Sequence, residues 1–251
     1  MKVTELIPRP TLEGYPLADA ISKRKEALYE HLKMSILTLA LQPGSDLDEA
    51  AYLDRFALSR TPLREVFRQL AGEGYLDVRK NRGVRVSEMS HTSLREFFLA
   101  APMIYGAILR LAATNATPDQ IDRLKAAQTK FSAALRSGRA ADRALANNGF
   151  HEITGEMADN TYLLPSFSRL LIDHARIGMT FYQPQTNKMA QNLATANAQH
   201  DAIIAAIEAR DPDETARLAE EHWRLSRDQI AQFVMPTALE IQLAEFPEAT
   251  A

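Results

Sequence analysis

Apolar residues recur every three or four positions near the start of the chain, which predicts a first helix over about 19–41. They are Leu28, Leu32, Ile36 and Leu39. Pro43-Gly44 follows and is expected to end the helix. A second helix is predicted over about 46–56, with Ser45 as its cap and Asp48 in its first turn. A third is predicted over about 60–73, capped by Ser59.

Two short extended segments follow the third helix, at 75–79 and 84–86. The link between them is Lys80-Asn81-Arg82-Gly83, and asparagine and glycine suit a tight hairpin turn. Two short helices joined by a tight turn form a helix-turn-helix, and the hairpin would be its wing. The first part of the chain is therefore predicted to be a winged helix-turn-helix.

From Thr92 onward the pattern is entirely helical. Six or seven helices are predicted, over about 92–115, 118–136, 140–158, 161–182, 188–209 and 212–234. Thr117-Pro118-Asp119-Gln120 has a capping residue, Pro at the first helical position and Gln at the third. Short links between helices of this length indicate an antiparallel bundle.

These elements predict a mainly α fold, in which a winged helix-turn-helix precedes an antiparallel helical bundle. The predicted division is an N-terminal arm over 1–18, a DNA-binding domain over 19–88, a helical domain over 89–235 and a C-terminal tail over 236–251. No internal repeat is evident in the sequence.

Composition narrows the possible functions. The 251 residues include no cysteine, which excludes disulfides, thiolate metal sites and cysteine nucleophiles. Any transition metal would have to be held by histidine, carboxylate or amide oxygen. The N-terminus lacks the apolar segment of a signal peptide, and no stretch of about 20 apolar residues stands out as a membrane span. The expected location is the cytoplasm, with no membrane partner.

Charge is distributed unevenly along the chain. The formal net charge of −3 argues against nucleic-acid binding. Residues 55–85, however, contain eight basic residues against three acidic ones, a net charge of +5. A local basic patch is a better sign of nucleic-acid binding than the overall charge, although a solvated helix face would also account for it.

The start of the third helix holds the candidate DNA-contacting residues. In a helix-turn-helix the beginning of the second helix enters the major groove. Arg60 has the geometry for a bidentate contact to guanine, and Arg64 lies one turn further on the same face. Ser59 and Thr61 are short donors suited to phosphate oxygens. Arg82 and Gly83, at the hairpin tip, would approach the minor groove or the backbone.

Histidines in the helical half form a second candidate site. Asn147 and His151 are four residues apart on one predicted helix and face the same side. His200 and His222 lie on two further helices, and a bundle can direct such side chains to one internal point. The alternative is that each is an ordinary buried or surface histidine.

The N-terminal segment closely resembles the winged helix-turn-helix of GntR-family transcription regulators. The resemblance rests on Pro43-Gly44, Ser59-Arg60-Thr61-Pro62-x-Arg64-Glu65, Leu70-x-x-x-Gly74 and Arg82-Gly83. It implies that operator DNA is contacted by the residues matching Arg60, Thr61, Arg64 and the wing glycine. The expected DNA-binding set is Ser59, Arg60, Thr61, Pro62, Arg64, Arg82 and Gly83.

The helical half resembles the FCD effector domain that follows such winged helices in the FadR-like subfamily. The matching residues are Phe150-His151, Asn160, His200-Asp201-x-Ile203, Asp211 and His222. The resemblance implies that an aspartate and three histidines bind a divalent metal, often zinc or nickel, beside a small carboxylate effector. Asn147, His151, His200 and His222 are the matching positions.

Two departures from that pattern affect the expected site. Asn147 stands where the family has its aspartate, so the shell would be uncharged. Residues 100–105 replace an arginine and a glutamate that are common in the first bundle helix, and Pro102 should kink that helix. The effector is therefore expected to differ from the usual hydroxy- or keto-acids. Arg176 and Tyr182, on the fourth bundle helix, are candidates for effector binding. His174 is interpreted as a structural or surface residue.

The chain is expected to be a DNA-binding transcriptional regulator, and repression is favoured over activation. It would bind an inverted-repeat operator as a homodimer and respond to a small organic acid at or near a metal. Three alternatives remain open at this point: direct effector binding without metal, a bundle that only dimerises, and a metal-dependent hydrolase. No obvious general base supports the hydrolase, so the chain is not expected to be an enzyme.

Overall fold

The computed structural model describes residues 17–80 and 83–234. The described residues form nine helices and one two-stranded antiparallel sheet. The first five elements are α1 (Leu17–Leu37), α2 (Glu49–Phe56), α3 (Arg60–Glu73), β1 (Leu76–Arg79) and β2 (Gly83–Val86). The others are α4 (His91–Asn115), α5 (Pro118–Ser137), α6 (Ala140–Ala158), α7 (Leu163–Phe181), α8 (Asn187–Glu208) and α9 (Pro212–Val234). The mainly α fold class is confirmed.

The winged helix-turn-helix is built as the sequence pattern indicates. Leu28, Leu32 and Ile36 of α1 are fully buried against the inner face of α3. The strands pair in antiparallel register, with Val78 opposite Val84. An isolated bridge between Asp46 and Arg85 ties the second strand to the segment before α2. The predicted arm falls almost entirely on residues outside the described part of the chain.

Two predicted boundaries in this domain were wrong. The first helix ends at Leu37 because Leu39 adopts a left-handed conformation with a φ of 57°. The cap of α2 is Asp48, whose carboxylate accepts hydrogen bonds from the backbone N–H groups of Ala50 and Ala51. Ser45 instead donates to the carbonyl of Gln42, so it closes the turn that precedes the helix.

The bundle helices begin and end within about two residues of the predicted positions. The Thr117 cap is confirmed, since the Thr117 hydroxyl accepts from the Gln120 N–H and the Gln120 side chain accepts from the Thr117 N–H. Helix α4 packs against α6, α7 and α9, and α5 packs against α6 and α8. These contacts surround a buried interior to which α6, α8 and α9 all contribute. The predicted tail lies outside the described residues.

Helix α4 continues through Pro102 over 25 residues. Its most apolar 18 residues have a mean hydropathy of 1.6, so by length and composition alone it could cross a membrane. Sequence inspection predicted this helix but did not single it out as a candidate membrane span. Core helices of globular domains meet the same criterion, and seven residues of α4 are buried, among them Ala101 and Ile108. The helix also carries two strongly exposed apolar side chains, Leu99 and Met103.

Helix α7 joins the two parts of the molecule. Ile172 and Ala175 belong to the same apolar cluster as the core of the winged helix. The Arg176 side chain is fully buried and donates to the Ser87 hydroxyl at 2.9 Å, just after the wing. On α6, Glu152 accepts from Lys33 of α1 at 3.0 Å. The winged helix is therefore docked on the bundle through both polar and apolar contacts.

Candidate DNA interface and metal centre

The N-terminus of α3 forms an exposed polar surface. Ser59, Arg60, Thr61 and Arg64 are all exposed. Ser59 is the N-cap, but its side chain makes no capping hydrogen bond, which leaves the hydroxyl available to a ligand. Pro62 lies in the first turn, where its missing N–H costs nothing. The exposed start of a helix with uncapped N–H groups and two arginines is suited to phosphate and base contacts.

A groove of about 440 Å³ runs between α3 and the wing. Its walls include Arg64, Arg68, Arg79 and Gly83. Gly83 has a φ of 76°, and a Cβ added there would meet no atom within 4 Å, so the backbone is open to close approach by a ligand. Arg82, predicted to contact DNA, lies outside the described residues.

Part of the basic patch read from the sequence is neutralised within the fold. Arg85 binds Asp46 at 2.8 Å, and this hydrogen bond holds the pKa of the Asp46 carboxyl below its usual range. Arg79 lies 3.5 Å from Glu88. These two arginines hold the wing in place. The charge available to a nucleic acid is thus concentrated on α3, at Arg60, Arg64 and Arg68, of which Arg64 also lies 3.8 Å from Glu49.

Three histidines from three helices meet in the bundle interior. His151 of α6, His200 of α8 and His222 of α9 each offer a ring nitrogen within 4.8 Å of the others. The ring centroids of His200 and His222 are 4.7 Å apart. They lie 5.5 and 5.6 Å, respectively, from the ring centroid of His151. This is the number and type of ligands that a tetrahedral zinc site with one further position requires.

Asn147 lies one turn before His151 and is buried. Its Oδ1 has no hydrogen-bond partner among the described residues. Both nitrogens of His151 and Nε2 of His200 are likewise buried without a partner. Unsatisfied buried polar atoms are costly, and several in one place indicate a group that binds there.

Two of the three imidazoles are each held by a hydrogen bond between Nδ1 and a glutamine side chain. Nδ1 of His200 lies 3.0 Å from Oε1 of Gln128 on α5. Nδ1 of His222 lies 3.0 Å from Oε1 of Gln199 on α8. In both rings Nε2 is the nitrogen left for another ligand.

The histidines are held in the neutral form. Burial lowers the pKa of His151 and His200 well below the ordinary value, and the neighbouring histidines lower it further. Burial lowers the pKa of His222 to about 3. Neutral imidazoles retain the lone pairs that bind a metal.

Sequence reasoning missed three residues beside this cluster. His174 of α7 is buried, its ring centroid lies 5.2 Å from that of His151, and its Nδ1 lies 2.5 Å from the Tyr105 hydroxyl. Trp223 contacts both rings, and its indole N–H is buried without a partner. One signal was present in the sequence: His174 continues the buried face of α7 at helical spacing from Phe167 and Leu171.

The same residues line a small closed cavity. It has a volume of about 10 Å³ and is bordered by Tyr105, Leu109, His151, His174, Ala219, His222, Trp223 and Ser226. That volume accommodates about one water molecule. None of the described residues on this border is a carboxylate, a lysine or an arginine.

The two residues expected to bind an effector are placed differently. Arg176 follows His174 by two residues and so projects to the opposite side of α7, where it binds Asp173 and Ser87. It is not brought to the histidine cluster. Tyr182 is buried against Phe131, with ring centroids 6.0 Å apart, and Phe131 in turn packs on His200 at 4.9 Å. The ring of Phe131 therefore separates Tyr182 from the cluster.

Two family profiles match the sequence. The profile described as "Bacterial regulatory proteins, gntR family" matches residues 24–86. The profile of the FCD domain matches residues 101–225. The first match contains α2, α3 and the wing, and the second contains the three histidines of the cluster and Asn147.

Several proteins are similar to most of this chain. The chain is 26% identical over 209 residues to "HTH-type transcriptional repressor RspR" of Escherichia coli (strain K12), covering 82% of this chain and 89% of the relative. It is 28% identical over 198 residues to "HTH-type transcriptional repressor GlaR" of the same strain, covering 77% and 90%. The solved structure "E. coli McbR/YncC" is similar with a TM-score of 0.69 at 18% identity, covering 84% of this chain and 98% of that one.

Proposed function

The chain belongs to the GntR family of bacterial regulatory proteins and carries an FCD domain, and from this membership we propose that it is a cytoplasmic transcriptional repressor controlled by a ligand of its helical domain. The observation that carries the proposal is the combination in one chain of an exposed, basic recognition helix and a buried cluster of three convergent histidines. Relatives described as transcriptional repressors support repression as the direction of regulation.

Operator recognition is assigned to α3 and the wing. Arg60, Thr61 and Arg64 would reach base edges and phosphates, with Ser59 and Pro62 shaping the helix start and Arg82-Gly83 at the wing tip. Arg60→Ala should reduce affinity for the specific operator at least tenfold, since one bidentate contact is worth about 1–3 kcal/mol. Arg136→Ala, which removes an exposed arginine of α5, is the matched control. Undiminished specific binding by Arg60→Ala would refute the assignment.

An inverted-repeat operator requires a two-fold symmetric protein, so the repressor is proposed to be a homodimer. The exposed face of α4 supports this. Leu99 and Met103 are 70% and 76% exposed and lie one turn apart. Gly106 continues this face and has no atom within 4 Å of the position a Cβ would occupy, so a second helix could approach closely there.

The histidine cluster is proposed to hold a divalent metal such as zinc or nickel. The ligands would be His151, His200 and His222, with Asn147 contributing its amide oxygen. The buried atoms without partners on Asn147, His151 and His200 fit this role. When bound, the metal would supply a positive charge that attracts an anionic ligand.

Metal analysis of the purified protein tests this site. Wild type loaded with zinc and then dialysed should retain about one equivalent, and His200→Ala should retain none. His91→Ala, which removes an exposed histidine at the start of α4, should behave as wild type. A wild type that retains no metal after loading would refute the metal site and favour direct binding of an effector.

The proposed effector is a small carboxylate that binds beside the metal. Because none of the described residues that border the small cavity is cationic, the negative charge of the effector would be balanced by the metal itself. The Tyr105 hydroxyl, the Trp223 indole N–H and the Ser226 hydroxyl are the polar groups available around it. Arg176 is engaged elsewhere in this conformation, and Tyr182 would act only through Phe131.

A second candidate function deserves a test because the cavity is so small. With room for about one water molecule, the bundle could serve dimerisation with a purely structural metal. Thermal-shift screening of carboxylic acids, with and without zinc, separates the two functions. An acid that raises the melting temperature only with zinc and weakens operator binding supports the effector proposal; no response across the panel supports the alternative. No enzymatic function is proposed, since the carboxylates next in sequence to the three histidines are engaged: Glu152 by Lys33, Asp201 by Gln128 and Glu221 by Arg217.

A further inference from the structure

The amide of Gln128 has an orientation that its surroundings fix. Gln128 is buried between α5 and α8. Its Nε2 lies 3.0 Å from the carbonyl oxygen of Asn197 and 2.9 Å from the carboxylate of Asp201. Both of these oxygens only accept hydrogen bonds, so the group facing them must be the NH₂. Oε1 must therefore face His200.

This orientation determines which nitrogen of His200 carries the proton. Oε1 of Gln128 accepts only, so Nδ1 of His200, 3.0 Å away, must be the donor. Nε2 of His200 is buried without a partner. A proton there as well would leave a buried N–H unsatisfied beside two other imidazoles, which is costly. The ring is thus the Nδ1–H tautomer with its lone pair on Nε2.

We propose that Gln128 is a positioning residue that sets the tautomer and orientation of His200, so that Nε2 is presented to a divalent metal before the metal arrives. Asp201 and Asn197 hold the amide, and the Ser132 hydroxyl donates to the Asn197 side chain at 2.7 Å. The inference rests on the proposed metal site.

Gln199 and His222 show the same relationship on a second ring, with a distance of 3.0 Å between Oε1 and Nδ1. His151 differs, because neither of its nitrogens has a partner among the described residues. Hydrogen bonds therefore orient His200 and His222 before a metal binds, but they do not orient His151. Outer hydrogen bonds of this kind orient metal-binding histidines and raise their affinity.

The tautomer is measured directly in the metal-free protein. Long-range ¹H–¹⁵N correlation spectra distinguish the protonated nitrogen of a neutral histidine. Wild type should show His200 as the Nδ1–H form, and Gln128→Met, which keeps the side-chain length and removes the acceptor, should shift it towards the Nε2–H form. His200 as the Nε2–H form in wild type would overturn the proposal, whether or not the protein binds zinc.

Zinc affinity, measured by competition with a chromophoric chelator, gives the second readout. Gln128→Met should weaken zinc binding about 10- to 100-fold. Gln191→Met, the same substitution at an exposed position of α8, should leave it unchanged. Zinc affinity of Gln128→Met equal to that of wild type would overturn the proposal; absence of zinc binding in wild type would instead refute the metal site.

Discussion

Asn147 is an uncharged, buried residue one turn before His151, and it is proposed to share a metal with three neutral imidazoles. A metal bound there would keep nearly all of its positive charge. Asn147→Asp should raise zinc affinity by about tenfold or more, because an anionic ligand adds a favourable charge interaction worth at least about 1.4 kcal/mol. Chelator competition measures this change. The metal-free variant should be less stable than wild type, since it buries a charge without a partner.

Asn148→Asp is the matched control for this substitution. Asn148 is also buried, but it projects about 100° away around α6. It should share the loss of stability without the gain in zinc affinity. A zinc affinity of Asn147→Asp that is equal to or weaker than that of wild type would show that Asn147 is not a ligand.

Burial of His174 should make the stability of the metal-free protein depend on pH. Burial lowers its pKa to about 4, whereas in the unfolded chain it titrates near 6.5. The unfolded state therefore takes up a proton between these values while the folded state does not. This contribution to stability is full above about pH 6.5 and is lost as the pH falls towards about 4, and the loss is about 2 kcal/mol by about pH 5.

Urea unfolding in the presence of a chelator, at about pH 7.5 and about pH 5, measures this loss. His174→Gln should be less sensitive to acid than wild type by about 2 kcal/mol, since glutamine does not titrate. His91→Gln, at an exposed position, should lose as much stability as wild type. An unchanged acid sensitivity of His174→Gln would contradict the prediction.

At the scale of the elements, local signals predicted most of the fold. Caps such as Thr117 and Asp211 set helix starts through contacts within three residues. The site was predictable only in part. His151, His200 and His222 could be placed on inward faces of three helices, but Gln128 is 72 residues from His200. Which amide forms a hydrogen bond with which imidazole depends on how α5 packs on α8, and no local sequence pattern encodes that packing.

Helix α7 carries groups that serve both domains. His174 contacts His151 on one side, and Arg176 binds Ser87 of the winged helix on the other. A ligand that shifts α7 would thereby move the wing, which gives the proposed regulation a physical route.

Ser87→Ala tests this contact. It should cost about 1.5–3 kcal/mol of stability, because it removes a hydrogen bond from a buried guanidinium. It should also reduce the effect of zinc on operator affinity, measured by fluorescence anisotropy. Ser166→Ala, an exposed position on the same helix, is the control. A zinc response of Ser87→Ala as large as that of wild type would exclude this route.

At the scale of the whole molecule, the acidic net charge and the DNA-binding surface are compatible because they occupy different parts of the fold. The net charge of −3 belongs to the full chain, while α3 presents Arg60, Arg64 and Arg68 on an exposed face. The bundle contributes the buried cluster, and the chain after residue 88 holds 19 of the 32 acidic residues against 15 of the 29 basic ones. A repressor of this kind would show a steep dependence of DNA affinity on salt although its overall charge is negative.

The exposed face of α4 leads to a prediction about the assembly. Leu99 and Met103 place two large apolar side chains in water on a helix that is otherwise packed in the bundle. Pairing this face with its copy would bury them, and Gly106 would allow the backbones to come close. Leu99→Glu combined with Met103→Glu would place like charges opposite one another at a two-fold axis, which disfavours association.

The double variant should elute as a monomer in size-exclusion chromatography with light scattering, where wild type elutes as a dimer. Its circular dichroism should be unchanged, because the substituted side chains lie outside the core. Met34→Glu makes the same substitution at another exposed methionine, on α1, and should stay dimeric. Operator affinity of the monomer should fall at least tenfold, about 1.4 kcal/mol, since each half-site would bind alone. A double variant that remains dimeric would place the interface on another face of the bundle.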